Sequence, residues 1–196
     1  MSSENGQGRT RSWTFILYPE SAPENWREIL NELFIQWVES PLHDKDIDPG
    51  TGELKKAHWH ILLMFPSVKS YEQILEITNK LNTPPPQKAM SAKGVVRYMA
   101  HMDNPEKYQY NKDEIKAYGG ADIAELLRPS SGEKREMMIE IKRVIREKQI
   151  TEYIDLLDVL EEIDLDLMDF AFNNTIAFNS MVRSNRFKIL TDKERK

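Results

Sequence analysis

His58-Trp59-His60-Ile61-Leu62-Leu63-Met64-Phe65 is the stretch on which the fold turns. It reads as a β-strand that is apolar on both faces after its first residues, a pattern that places a strand at the centre of a sheet. Its opening carries a second message. Side chains two apart on a strand leave from the same face, so His58 and His60 can converge on one ion.

Working toward the N-terminus, Ile35 to Val38 reads as another strand, and Asp48-Pro49-Gly50-Thr51-Gly52 is a turn cluster suited to a hairpin between antiparallel neighbours. Ser12-Trp13-Thr14-Phe15-Ile16-Leu17-Tyr18 is aromatic and β-branched and stops at Pro19, as a first strand would. Between these strands, Ser21-Ala22-Pro23-Glu24 has the spacing of a capping box. Trp26, Ile29, Leu30 and Leu33 follow at helical spacing. Downstream, Ser70 and Gln73 form a second capping box that opens a helix to about Leu81, and Pro84-Pro85-Pro86 closes that unit. A short strand near Lys88 to Met90 and a helix from about Gly94 to Met102 complete an α+β domain, with a central antiparallel sheet flanked by helices.

Arg128-Pro129-Ser130-Ser131-Gly132 marks a change of composition. Beyond it there is no proline. Met137, Met138, Ile141, Val144 and Ile145, then Ile154, Leu157 and Leu160, recur at helical spacing. The expected organisation is a flexible tail over 1–10, the mixed domain over 11–128, a linker over 129–132 and a small all-α domain over 133–196. The apolar stripes of the last exceed what an appended helical hairpin can bury, which predicts a homo-oligomer.

The chain has 196 residues, a net charge of -5 and no cysteine. Thiol catalysis, thiolate metal sites and disulfides are excluded, so a metal must sit on His, Asp or Glu. No stretch approaches the roughly 20 apolar residues of a membrane span, and a cytoplasmic location is expected. The acidic balance argues against non-specific coating of nucleic acid, so any DNA contact must be local. The candidate cations are Arg9, Arg11, Lys55, Lys56, Lys88, Lys93 and Arg97.

Two further motifs accompany His58-Trp59-His60. Pro41-Leu42-His43-Asp44-Lys45-Asp46 offers an imidazole and two carboxylates just past a strand, and Arg97-Tyr98-Met99-Ala100-His101 sets a tyrosine and a histidine on one helical face. All four histidines of the chain fall in these three motifs. A mixed His and carboxylate shell favours manganese, zinc or cobalt on softness, although abundance can override affinity.

Taken in order with Phe15-Ile16-Leu17-Tyr18-Pro19, the three motifs resemble those of the plasmid rolling-circle replication initiators of the HUH endonuclease superfamily. The similarity spans roughly residues 11 to 125. It implies that His58 and His60 are metal ligands joined by His43 and Asp46, with Asp44 set aside, and that Tyr98 is the nucleophile. His101 stands where the broader superfamily often has a lysine, so its catalytic part is proton transfer or positioning. The resemblance further implies a divalent ion, Mn2+ or Mg2+. It implies a nick in single-stranded DNA, extruded as a hairpin loop at the plasmid double-strand origin. The products would be a 5′-phosphotyrosyl link and a 3′-hydroxyl that primes synthesis by the host replication machinery, with rejoining at the end of the round. Trp13, Trp59, Tyr108 and Tyr110 are candidates for base stacking, and each is more commonly a core residue.

Three other classes fit the same residues. A relaxase or single-tyrosine transposase of another mobile element shares the chemistry. A non-catalytic origin-binding regulator would keep the metal for structure, and a metallophosphodiesterase using water would leave no covalent adduct.

Overall fold

A computed structural model describes residues 8–194. The strands are β1 (Thr10–Leu17), β2 (Gln36–Glu39), β3 (Trp59–Lys69), β4 (Gln87–Lys88) and β5 (Lys116–Tyr118). They form one five-stranded sheet in the order β4-β1-β3-β2-β5, and every neighbouring pair is antiparallel. The doubly apolar β3 is the central strand. Of the expected tail, residues 1–7 lie outside the described residues, and Thr10 already opens β1.

Strand alternation sends the two parities to two cores. Trp13, Phe15 and Leu17 of β1, Trp37 of β2 and Ile61, Leu63 and Phe65 of β3 pack against α1 (Trp26–Asn31) and α2 (Tyr71–Lys80). The opposite parity, Val38 and Leu62, packs under α3 (Ala92–Met99) with Val96, Met99 and Ile115. His60 shares the parity of Leu62, so it emerges on the α3 face. Helices on both faces explain why an antiparallel strand carries no polar alternation.

Several expectations are corrected. β3 does not stop before Pro66. Its ladder with β1 is interrupted between Met64 and Lys69, the interval that holds Pro66, and β2 pairs only as far as Met64, so the proline removes no ladder bond. The capping box at Ser21 does not form: α1 begins at Trp26 with Asn25 as an N-cap that makes no side-chain bond, while Ser21 Oγ donates to the carbonyls of Tyr18 and Asn82. The box at Ser70 and Gln73 does form and opens α2. α3 ends at Met99, three residues earlier than its apolar spacing suggests. β5 and α4 (Ile123–Leu127) were not anticipated. Gly119, with φ +60, follows β5, and an added Cβ would overlap the Ile35 carbonyl oxygen, so only glycine lets β5 lie this close to β2.

The chain divides between Arg128 and Pro129 into two compact units. The second comprises α5 (Ser131–Glu147), α6 (Tyr153–Ile163), α7 (Leu165–Asn173) and α8 (Thr175–Glu194). It has its own core of Ile141, Ile145, Leu156, Leu160, Phe178 and Val182. The segment 129–132 is not a linker through its length. Ser130 caps α5 in a capping box with Glu133, and Ser131 and Gly132 are its first helical residues.

Candidate functional site

Just past β2 the backbone keeps its pairing with the start of β3: the His43 amide donates to the His58 carbonyl at 2.8 Å and the His58 amide returns a bond at 3.2 Å. The loop motif is therefore an irregular extension of the ladder that sets His43 opposite His58. Ser40 Oγ accepts from the His60 amide at 2.9 Å and fixes the next rung. The rings of His43 and His58 are 5.4 Å apart, those of His43 and His60 4.7 Å, and those of His58 and His60 5.0 Å. His101 completes the group with its ring 4.8 Å from that of His43. Asp46 is buried beside them while Asp44 is exposed.

Three backbone carbonyls decide which nitrogens face inward. His43 Nε2 lies 2.8 Å from the Met99 oxygen, His58 Nδ1 2.8 Å from Lys56 and His101 Nδ1 2.7 Å from Tyr108. A carbonyl only accepts, so each of these nitrogens carries the hydrogen and the other nitrogen of the neutral ring presents a lone pair. Those lone pairs are His43 Nδ1, His58 Nε2 and His101 Nε2. Asp46 Oδ2 stands 3.3 Å from the first and 3.8 Å from the last. Among the described residues His60 Nε2 and His101 Nε2 are buried without a hydrogen-bond partner. Donor atoms of His43, His58 and His60, and separately of His43, Asp46 and His101, all lie within 4.8 Å of one another. Buried lone pairs facing a carboxylate repel unless a cation lies between them, so the residues fit a divalent ion.

Electrostatics point the same way. Burial pushes the His60 imidazole well below its ordinary pKa, and the neighbouring His43, His58, His101 and Lys107 add to the shift. Burial also lowers His43, against opposing effects of the Met99 carbonyl and Asp46. Both rings are thus held neutral, the form that binds metal.

Tyr98 sits in the last turn of α3, 37% exposed, at the rim of this cluster. Its ring meets His60 edge-on at 5.3 Å and His101 at 5.2 Å. The Lys107 ammonium donates to its hydroxyl at 3.0 Å and lies 4.5 Å from the ring centroid. His101 is not on the helical face expected for it. It follows the C-cap Ala100 with φ 56 and is fully buried, and its Nε2 makes no bond to the phenol. A groove of about 530 Å³, lined by Ile16, Pro84, Met90 and Val95 among others, opens alongside His60 and Tyr98.

Two residues of this site carry parts that the sequence reading does not assign them, since it names Tyr110 for base stacking only and Lys107 not at all. Tyr110 stacks on His43, with centroids 4.1 Å apart and planes at 7°. Its hydroxyl donates to Asp46 Oδ1 at 3.0 Å and accepts from the Lys45 amide at 2.9 Å. Burial raises the Tyr110 pKa, with Asp46 contributing, so it stays a phenol and a donor. Lys107 is the other. Neither stands at a spacing that strand or helix periodicity would flag.

The base-stacking candidates separate. Trp13 is core, Trp59 packs on Trp26 on the far face of the sheet, and Tyr110 belongs to the histidine cluster. Tyr108 is exposed and bonds to the Lys45 ammonium. The basic candidates scatter likewise. Arg9 and Arg11 are exposed at the other end of the β1–β3 ladder, roughly 20 Å along the strand from the rung that pairs Ile16 with His60. Lys56 pairs with Glu20 and Arg97 with Asp103, while Lys93 bonds to the Arg128 carbonyl. Lys55 is exposed in the loop whose backbone bonds to Asp46.

Residues 5–124 match the family described as plasmid replication protein, origin binding domain. A replication protein of Staphylococcus aureus is 45% identical over 185 residues, covering 92% of this chain and 91% of its own length. The replication protein RepB of Lactiplantibacillus plantarum is 41% identical, covering 90% of this chain and 81% of its own. A RepB of Streptococcus agalactiae is 28% identical over 79% of this chain and 78% of its own. With the family matched over more than half of the chain and relatives this similar covered over most of their own length, the chain belongs to the plasmid replication proteins that carry an origin-binding domain.

Proposed function

We propose that this replication initiator nicks and rejoins one DNA strand at its origin, with Tyr98 as the nucleophile. The observation that carries this reading is a solvent-reachable phenol at the rim of a buried histidine and carboxylate cluster, beside a groove of about 530 Å³. Attack by Tyr98 Oη on phosphorus forms the phosphotyrosyl bond and breaks the bond to O3′, which departs as the 3′-hydroxyl. A divalent cation, manganese or magnesium, held by His43, Asp46, His58 and His60 would neutralise the non-bridging oxygens of the phosphate.

The remaining work falls to side chains of this chain. The Lys107 ammonium bonds to the phenol oxygen and stabilises negative charge on it as the proton leaves to solvent. Edge contacts with His60 and His101 hold the ring over the cluster. Tyr110 holds Asp46 and covers one face of His43. Rejoining runs the same step backward, with an incoming 3′-hydroxyl displacing the tyrosine. In plasmid replication the freed 3′-hydroxyl would prime synthesis by the host machinery. The helical unit, with exposed Ile139, Ile154, Phe172, Ile176 and Phe187, would join copies of the chain.

The test is covalent capture. Wild type incubated with Mn2+ and a single-stranded origin oligonucleotide labelled on the 3′ side of the cut should carry label through a denaturing gel. Tyr98→Phe deletes one oxygen, so binding and melting should stay near wild type while the adduct vanishes. Adduct in the phenylalanine variant would mean another tyrosine attacks, and cleavage without adduct would mean that water does.

A further inference from the structure

We infer that His101 is a further ligand of the divalent cation, added on the Asp46 side of the cluster. This rests on the metal reading above and extends it from four protein ligands to five.

The backbone supplies the first argument. α3 ends in a turn in which the Met102 amide reaches the Arg97 carbonyl at 3.0 Å and the His101 amide reaches Tyr98 at 3.0 Å. This pair of bonds requires a left-handed residue just past the cap, normally glycine, and His101 occupies it with φ 56. α2 and α5 close in the same turn with Asn82 (φ 54) and Gln149 (φ 53), so the backbone by itself assigns the ring no task and fixes only its direction. The turn sends that ring into the protein, where it is fully buried.

The ring's hydrogen bonding supplies the second. Nδ1 is committed to the Tyr108 carbonyl at 2.7 Å, so in the neutral ring Nε2 holds a lone pair. That atom has no hydrogen-bond partner and stands 3.8 Å from Asp46 Oδ2, beyond hydrogen-bond length. A lone pair facing a carboxylate oxygen is repulsive, and a shared cation converts the repulsion into two bonds. His43, His58 and His60 form one cluster of donor atoms, and His43, Asp46 and His101 form the other. Asp46 therefore comes to the ion in the company of His101. The Tyr98 hydroxyl bonds to Lys107, and His101 Nε2 makes no bond to it, which leaves the imidazole free of proton transfer with the nucleophile.

The test uses the full chain, Mn2+ alone and no DNA. His101→Gly and His101→Asn both tolerate the left-handed backbone, and although each loses the buried ring and its bond to the Tyr108 carbonyl, so that metal-free melting should fall, circular dichroism should show the native fold retained. Calorimetric Mn2+ affinity should fall roughly tenfold or more in both, as in His58→Ala. Affinity equal to wild type in folded His101 variants would overturn the inference and leave nicking by the four-ligand site standing. A wild type that takes up no Mn2+ would instead overturn the metal reading on which both rest. If neither variant folds, the wild type decides: on adding Zn2+, the 15N resonance of His101 Nε2 should leave the position of an unprotonated ring nitrogen. A resonance that stays there sinks the proposal.

Discussion

An imidazole has one lone pair to give, and here main-chain carbonyls of Met99, Lys56 and Tyr108 choose the nitrogen that gives it. The same logic makes Tyr110 a residue of the site, since its hydroxyl fixes Asp46 while its ring covers His43. Tyr110→Phe keeps the stack and removes the donor, so Mn2+ affinity should drop roughly tenfold in calorimetry with little change in melting. Lys107 acts on the nucleophile instead. Lys107→Gln should slow single-turnover nicking roughly ten- to a hundredfold, the weight of one charge-assisted hydrogen bond. It should leave metal affinity unchanged. Lys107→Arg should restore most of the rate. A glutamine variant as fast as wild type would remove Lys107 from the mechanism. Protons report on the cluster as well. The folded pKa values of His43 and His60 lie below the ordinary 6.5, so the metal-free native state binds fewer protons than the unfolded chain as pH falls below that value. The stability these rings contribute is complete above about 6.5 and is lost as pH drops toward their folded values. Metal-free wild type should therefore melt lower at pH 5.5 than at 7.5. His60→Gln should show a smaller drop, and an equal drop would assign the effect elsewhere.

At the scale of elements, legibility followed how local the deciding physics is. β3 could be read because burial on both faces leaves an apolar run, and α2 because Ser70 and Gln73 state its start within one turn. The histidine motifs were legible because a strand fixes the geometry of residues two apart. β5 was not: Lys116-Ala117-Tyr118 is too short for a pattern, and it is a strand because β2 offers an open edge. The end of α3 was missed because Met102 continues the apolar spacing while the backbone turns at His101. Tyr110 was legible only as an aromatic that could stack on bases, and Lys107 not at all, because ring stacking on His43 and side-chain reach across a loop have no sequence period. The close approach of β5 yields a test in two substitutions. Gly119→Ala adds a methyl that overlaps the Ile35 carbonyl, whereas at Gly120, with φ +80, the added methyl meets nothing within 4 Å. Gly120→Ala should cost about 1 kcal/mol in chemical denaturation, the strain of a left-handed alanine. Gly119→Ala should cost clearly more and detach β5. Equal costs would mean that backbone strain, and not the approach to β2, sets the glycine at 119.

The chain carries a net charge of -5, and the basic candidates named from its sequence are spread over the first unit, with Lys56 paired to Glu20 and Arg97 to Asp103. Affinity for an origin would have to come from local contacts, and joining several copies of the chain would multiply them without a large basic patch on each. The helical unit has the surface for this. Its core is complete without help from outside, yet Ile176 is 90% exposed, Phe187 69% and Phe172 65%. We expect these apolar groups to meet a second copy of the same unit, the occupant that a symmetric oligomer supplies. Because each unit has a core of its own, the chain can be cut after Arg128, ahead of the Ser130 cap, without opening either. The shortened chain should bind Mn2+ as wild type does and form the Tyr98 adduct on a short oligonucleotide, while sedimenting as a monomer where the full chain sediments as an oligomer. Its hold on origin duplex should weaken more than its rate of nicking. Ile176→Lys together with Phe187→Glu in the full chain should reproduce the monomer while keeping the helical content seen by circular dichroism. If the full chain is itself monomeric, or the charged variant still assembles, the exposed apolar face serves some other contact and the oligomer reading fails.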